Sequence, residues 1–204
     1  MGSYPVAAVR GKNTLVAGAT TLILDQFTDT NGTALSSHTI APTNTPATSW
    51  TNGLNSLEIQ SNKAVGVTSS DDNIELCDSG QSDVTASVIV NSTVVAGGGP
   101  VVRASDGSNM WLAYLASVFN SIRLFEINAA SFVERATASQ TVTSGVDYTQ
   151  RLAASGTSLV ASVDGGASCN YSSSFNQSAT KVGIHAYNLA GTSPTLDTFT
   201  VTRP

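Results

Sequence analysis

Apolar and polar residues alternate with a period of two through most of this chain, the spacing that puts every second side chain of a strand on one face. In DVTASVIV at 83–90, Val84, Ala86, Val88 and Val90 share a side. In TSLVASVDGG, Leu159, Ala161 and Val163 do the same, and Asp164-Gly165 supplies a hairpin turn at which positive φ costs little. KVGIHAYN repeats the pattern with Val182, Ile184 and Ala186, and the closing TLDTFTVT with Phe199 and Val201. SLEIQ, KAVGV, NIELC, PVVRA, SIRLFEI, SFVERAT and DYTQRLA are further strand-like runs, parted by Gly, Asn, Asp and Ser clusters. One stretch dissents: SNMWLAYLASVFNSI sets Met110, Trp111, Tyr114, Leu115, Val118 and Ile122 near helical spacing, and we read it as two strands. AGGGP at 96–100 reads as a turn. Many short strands predict an all-β sandwich or barrel, with one domain over 22–204 behind an N-terminal arm at 1–21.

Composition agrees with this. The 204 residues are 41% apolar and only 11% charged, and a chain of this size hides roughly 70% of its unfolded surface on folding, so its core needs no staples. Fourteen acids against nine bases leave a net charge of -5. The bases are scattered, at Arg10, Lys12, Lys63, Arg103, Arg123, Arg135, Arg151, Lys181 and Arg203, whereas a phosphate-tracking groove needs them clustered, so no nucleic acid partner is expected. Cys77 and Cys169 are too few for a disulfide framework and read as buried free thiols. Pro5, Arg10 and Lys12 interrupt the stretch where an export signal needs an apolar run, so no leader is expected. No run approaches the roughly 20 apolar residues of a membrane helix.

Three passages together resemble the concanavalin A-like, laminin G-like jelly-roll superfamily: GGGPVVRASDGSNMWLAYL, YTQRLAASGTSLVASVDGG with KVGIHAY following, and a start DQFTDTNGTAL matched by an end DTFTV. The resemblance covers about residues 25 to 204. It implies two antiparallel sheets of six or seven strands, with the first and last strands side by side, and it leaves function open. In paired terminal strands, the Asp-x-Phe repeats at Asp25/Phe27 and Asp197/Phe199 would send phenylalanine inward and the polar groups to solvent. The resemblance also implies a possible structural calcium near the joined termini, with Asp25, Asp29, Asn31 and Asp197 as oxygen ligands, although an Asx-turn explains the same loop. No other cofactor is expected.

Glucanases in this superfamily set two carboxyls across the scissile bond, about 5 to 9.5 Å apart. Here Asp72, Glu75 and Asp78 are spaced by three and fall on alternating faces, while Glu58 and Glu126 stand alone, so they read as solvated turn and edge acids. There is no Gly-x-Ser-x-Gly. Of the two histidines, His38 and His185, the second alternates outward from Ile184 as a surface or rim residue. The expectation is a protein that is not an enzyme. Four Asn-x-Ser/Thr sequons, at Asn31, Asn91, Asn170 and Asn176, are what chance gives in so Ser/Thr-rich a chain.

A leaderless, low-charge, Ser/Thr-rich jelly roll with an N-terminal extension is similar to bacteriophage virion proteins that decorate capsids. The first expectation is therefore a virion surface protein, made in the host cytoplasm, that docks on a capsid lattice through Tyr4, Pro5, Val6, Val9, Leu15 and Val16. Homo-oligomers fit its weakly charged strand edges. The alternative is an extracellular lectin-like module or adhesin for cell-surface glycans, using Trp50, Trp111, Tyr171 and Tyr187 with Asp106 and Asn109 beside them. Against it, Trp111 could simply be core.

Overall fold

The computed structural model describes residues 20–40, 49–68, 71–189 and 191–204. In chain order the strands are β1 (Thr21–Asp25), β2 (Thr51–Leu54), β3 (Leu57–Gln60), β4 (Lys63–Gly66), β5 (Asp72–Asp78), β6 (Val84–Asn91), β7 (Gly97–Asp106) and β8 (Asn109–Ala116). They continue as β9 (Ser121–Asn128), β10 (Ser131–Ser139), β11 (Asp147–Ser155), β12 (Ser158–Val163), β13 (Ser168–Ser172), β14 (Lys181–Tyr187) and β15 (Thr195–Thr202). The stretch with helical spacing is two strands, β8 and β9, joined by a 3-10 turn at Ser117–Phe119 that ends on Asn120 in the left-handed region.

Two antiparallel layers result. One runs β13-β12-β11-β6-β15-β4-β3, with β1 also on β15, and the other β10-β9-β8-β7-β14-β5-β2. This is the jelly-roll sandwich that the resemblance implies, with eight and seven strands where six or seven are expected in each sheet. First and last strands do pair, Asp25 opposite Phe199. Between the layers lie the alternating residues picked out above: Val84, Ala86, Val88 and Val90 from β6, Leu159 and Ala161 from β12, Val182 and Ile184 from β14, and both terminal phenylalanines. Each of these valine, leucine, isoleucine and phenylalanine side chains stabilises the fold by roughly 1.5–3 kcal/mol relative to exposure, and each alanine by less. Cys77 and Cys169 are free and buried, as expected.

A second apolar cluster lies on the outer face of the seven-stranded sheet, where Ile74, Leu76, Val101, Met110, Leu112 and Tyr114 pack together. The β7–β8 hairpin bends over to cover part of it. Arg103 makes the bend: it sits at φ 50 in a bulge between Val102 and Asp106, and its buried guanidinium donates to Asp83 at 2.8 Å and to the Gly156 carbonyl at 2.7 Å. The hairpin tip thereby reaches β2, three strands away, and a Cβ at Gly107 would lie 1.8 Å from the Gly53 carbonyl oxygen.

Candidate functional site

AGGGP is not a turn. Gly97, Gly98 and Gly99 are paired residues of β7, hydrogen-bonded into the sheet between β14 and β8. Neither Gly97 nor Gly99, the residues of this run in register with Tyr187 and His185, puts a side chain between β14 and β8. His185 on β14 is opposite Gly99. Its ring centroid is 5.8 Å from that of Tyr114 on β8.

A trough of about 260 Å³ opens here. At its head, Asp72 on β5 accepts a hydrogen bond from His185 Nε2 at 2.6 Å, and Tyr187 stands beside them. Leu112 and Tyr114 form the middle, and Phe125 and Phe132 the far side. Phe119, from the 3-10 turn, carries the Arg123 guanidinium 3.8 Å above its ring. Arg123 Nη1 also pairs with Glu134 at 3.1 Å, so its charge is already matched.

Burial first, then the neighbouring Asp72 and Tyr187 charges, pushes the Tyr114 phenol far up despite Arg123, so this hydroxyl stays protonated as donor and acceptor. His185 does alternate away from Ile184, but it is 1% exposed, not a surface residue, because the Tyr114 ring and its neighbours cover it. The tautomer that serves Asp72 has its hydrogen on Nε2 and leaves Nδ1 a bare acceptor, and Nδ1 has no protein partner.

The other acids also depart from expectation. Glu75 is not solvated: it is fully buried, opposite Ile184 on the inner phase of β5, and neither carboxylate oxygen has a hydrogen-bond partner. Burial raises its pKa to about 7, and the Leu57 backbone N–H draws it back slightly without reaching hydrogen-bond geometry. Glu126 is mostly buried and accepts from Arg135 Nε at 3.1 Å.

Of the six residues expected to bind carbohydrate, only Tyr187 lines the trough. Trp50 is core: its ring packs 5.2 Å from Phe199, and Nε1 donates to Asp25 Oδ2 at 2.7 Å. Trp111 falls on the inner phase of β8, fully buried, with Nε1 donating to the Phe175 carbonyl and Tyr171 packed 5.9 Å away. Asp106 and Asn109 bond one another at 2.9 Å in the β7–β8 turn.

Asp25 and Asp29 share His38, while Asn31 and Asp197 have other partners. Asp25 is buried rather than solvated and accepts from Phe27 N, Trp50 and His38, whose Nε2 lies 3.0 Å away. Asp29 takes the other His38 nitrogen at 3.0 Å, Asn31 accepts from the Ser61 backbone, and Asp197 lies 3.9 Å from Lys63. Among the described residues, no group of three or more His, Cys, Asp or Glu is placed to hold a metal ion. Tyr4, Pro5, Val6, Val9, Leu15 and Val16 lie outside the described residues, while Thr21, counted with the arm, belongs to β1.

No protein-family model matches the chain, and no curated protein matches it in sequence. Solved structures do match in shape. A carbohydrate-binding module, CBM66 from Bacillus subtilis, superposes with a TM-score of 0.62 at 15% identity over 76% of this chain and 94% of its own. A mutant of SCLam, a non-specific endo-β-1,3(4)-glucanase of family GH16, gives 0.62 at 10% identity over 92% and 96%. The carbohydrate recognition domain of Emp46p, in a metal-free form, gives 0.54 at 14% identity over 74% and 87%. At these identities the likeness establishes the fold alone, a two-sheet jelly roll. None of the three is a virion protein.

Proposed function

We propose that this chain is a carbohydrate-binding module that holds a sugar at the head of the trough, between Asp72, His185, Tyr187 and Tyr114. The observation that carries this reading is the carboxylate fixed by a histidine, beside two phenols, where an aromatic-walled trough begins. A pyranose has hydroxyls around its rim and C–H groups on its faces. A carboxylate accepts strongly from neighbouring hydroxyls, phenols can donate or accept, and aromatic faces suit C–H groups. The shape shared with a carbohydrate-binding module and a carbohydrate recognition domain supports the same reading.

Binding without cleavage is favoured by the charge inventory. Glycoside hydrolysis ordinarily uses two carboxyls across the bond, whereas Asp72 is the one carboxylate among the described residues that line the trough. A glycan array followed by titration calorimetry tests the proposal. Asp72→Ala is expected to weaken a captured glycan at least tenfold, about 1.4 kcal/mol. A chain that captures no glycan, or whose glycan affinity is unchanged by Asp72→Ala, overturns it.

A further inference from the structure

The trough is polar at one end only. From its head, rings follow in file across the sheet: His185, Tyr114, Phe125 and Phe132, with successive centroids 5.8, 6.2 and 6.4 Å apart. β14 and β10 are four strand spacings apart, about 19 Å. Hydroxyl-bearing rings stop at Tyr114. Beyond it Phe125, Phe132 and Phe119 offer carbon alone, and Phe119 and Phe132 are left 46% and 39% exposed. Arg123 is engaged on three sides, by Glu134, by Ser121 Oγ and by the Phe119 face.

Further sugar units or an apolar chain could follow such a file. Consecutive sugar rings stack on aromatic faces that lie side by side. Here Tyr114 and Phe125 meet at 84° and Phe125 and Phe132 at 69°, so faces alternate with edges. A flexible apolar chain follows that relief, and a stiff run of pyranoses does not. Hydroxyls laid against phenylalanine carbon would also lose water without gaining a partner.

We propose that the trough takes an amphiphilic glycoside, its sugar at Asp72 and His185 and its alkyl or aryl aglycone along Phe125, Phe132 and Phe119. This rests on the sugar reading above and adds the aglycone. Arg123 and Glu134 border the apolar end as a matched pair, which leaves no uncompensated charge to oppose a neutral chain.

Calorimetry on the full chain tests it, using methyl and octyl β-glycosides of glucose, galactose, mannose and xylose below their micelle concentrations, with 1-octanol alone as a further titrant. At least one octyl glycoside is expected to bind tenfold or more tightly than its methyl counterpart, the worth of about two buried methylenes. 1-Octanol alone should bind far more weakly. Phe132→Ala and Phe119→Ser, both at exposed positions, should bring the octyl-to-methyl ratio towards one. Equal affinities within every pair overturn the aglycone assignment and leave the sugar reading intact, and so does an octyl gain that survives both substitutions. If no glycoside binds, or if 1-octanol binds as tightly as the glycosides, the sugar reading falls and this inference with it.

Discussion

The rings of Tyr114 and His185 lie 5.8 Å apart although their strands are not neighbours, because the strand between them passes as Gly97-Gly98-Gly99. The trough therefore depends on residues that contribute no side chain to it. A Cβ at Gly99 would lie 2.1 Å from the Ala113 carbonyl oxygen and 2.3 Å from Gln150 Oε1, which reaches over from the opposite sheet. Gly99→Ala is expected to cost roughly 1–3 kcal/mol of stability, read by urea denaturation. An unchanged midpoint would contradict this packing.

His38 is clamped between two carboxylates, and stability should record its titration. Burial pushes its pKa down, but the Asp29 hydrogen bond, the charge and hydrogen bond of Asp25 and the charge of Asp29 carry it above the ordinary 6.5. The same hydrogen bond, with that of the Thr30 backbone, holds the Asp29 carboxyl below its usual 3.8. A raised histidine stabilises fully below its unfolded pKa and loses that contribution as pH rises through the folded one. The depressed Asp29 stabilises above its unfolded pKa and loses that contribution on acidification. In thermal melts, wild type should exceed His38→Gln by most between pH 3.8 and 6.5, with the gap narrowing as pH rises beyond His38's raised pKa. A gap independent of pH would show that the clamp is not ionic.

Glu75 should pull the pH profile the same way by the opposite route. An unfolded glutamate releases its proton near 4.5, while this one holds it to about 7, so stability declines across that interval and levels off above it. Glu75→Met replaces a buried group that has no hydrogen-bond partner and is expected to gain roughly 1–3 kcal/mol at alkaline pH. The gain should shrink on acidification. Denaturant curves at several pH values give the slope, and a slope shared by both proteins would place the titration elsewhere.

Neither tryptophan lines the trough, so filling it should leave indole fluorescence nearly constant. Trp50→Ala, by contrast, removes the ring between Phe27 and Phe199 and the donor to Asp25, for a cost of about 3–5 kcal/mol. A large emission change on glycan binding would move the sugar away from Asp72 and towards Trp111.

The strands were legible because each carries its own alternation: β6, β12, β14 and β15 bury the residues their phase selects. The paired ends came from the superfamily resemblance, and the buried thiols from their small number and the usual burial of free cysteine. The trough was hidden because its signals are not local. Glycine in a row suggests a turn by sequence, and only the backbones of β8 and β14 pressing from both sides make it a strand. Trp50 and Trp111 draw attention by type, while phase decides their fate, and Trp111 shares its phase with buried Ala113 and Leu115. One clue was present: β8 is apolar on both phases, NMWLAYLA, which marks a sheet with something to cover on each side.

The adjacency of the first and last strands also fixes how the domain would respond to tension. Thr21 faces Thr202, and Arg203 N–H donates to the Thr20 carbonyl, so the described chain begins and ends at one corner of the sandwich. A load drawn through both ends would part the β1–β15 ladder as a zipper, one rung after another, starting at that corner. Resistance would therefore be low and progressive, and the rupture would begin in the sheet that does not carry the ring file.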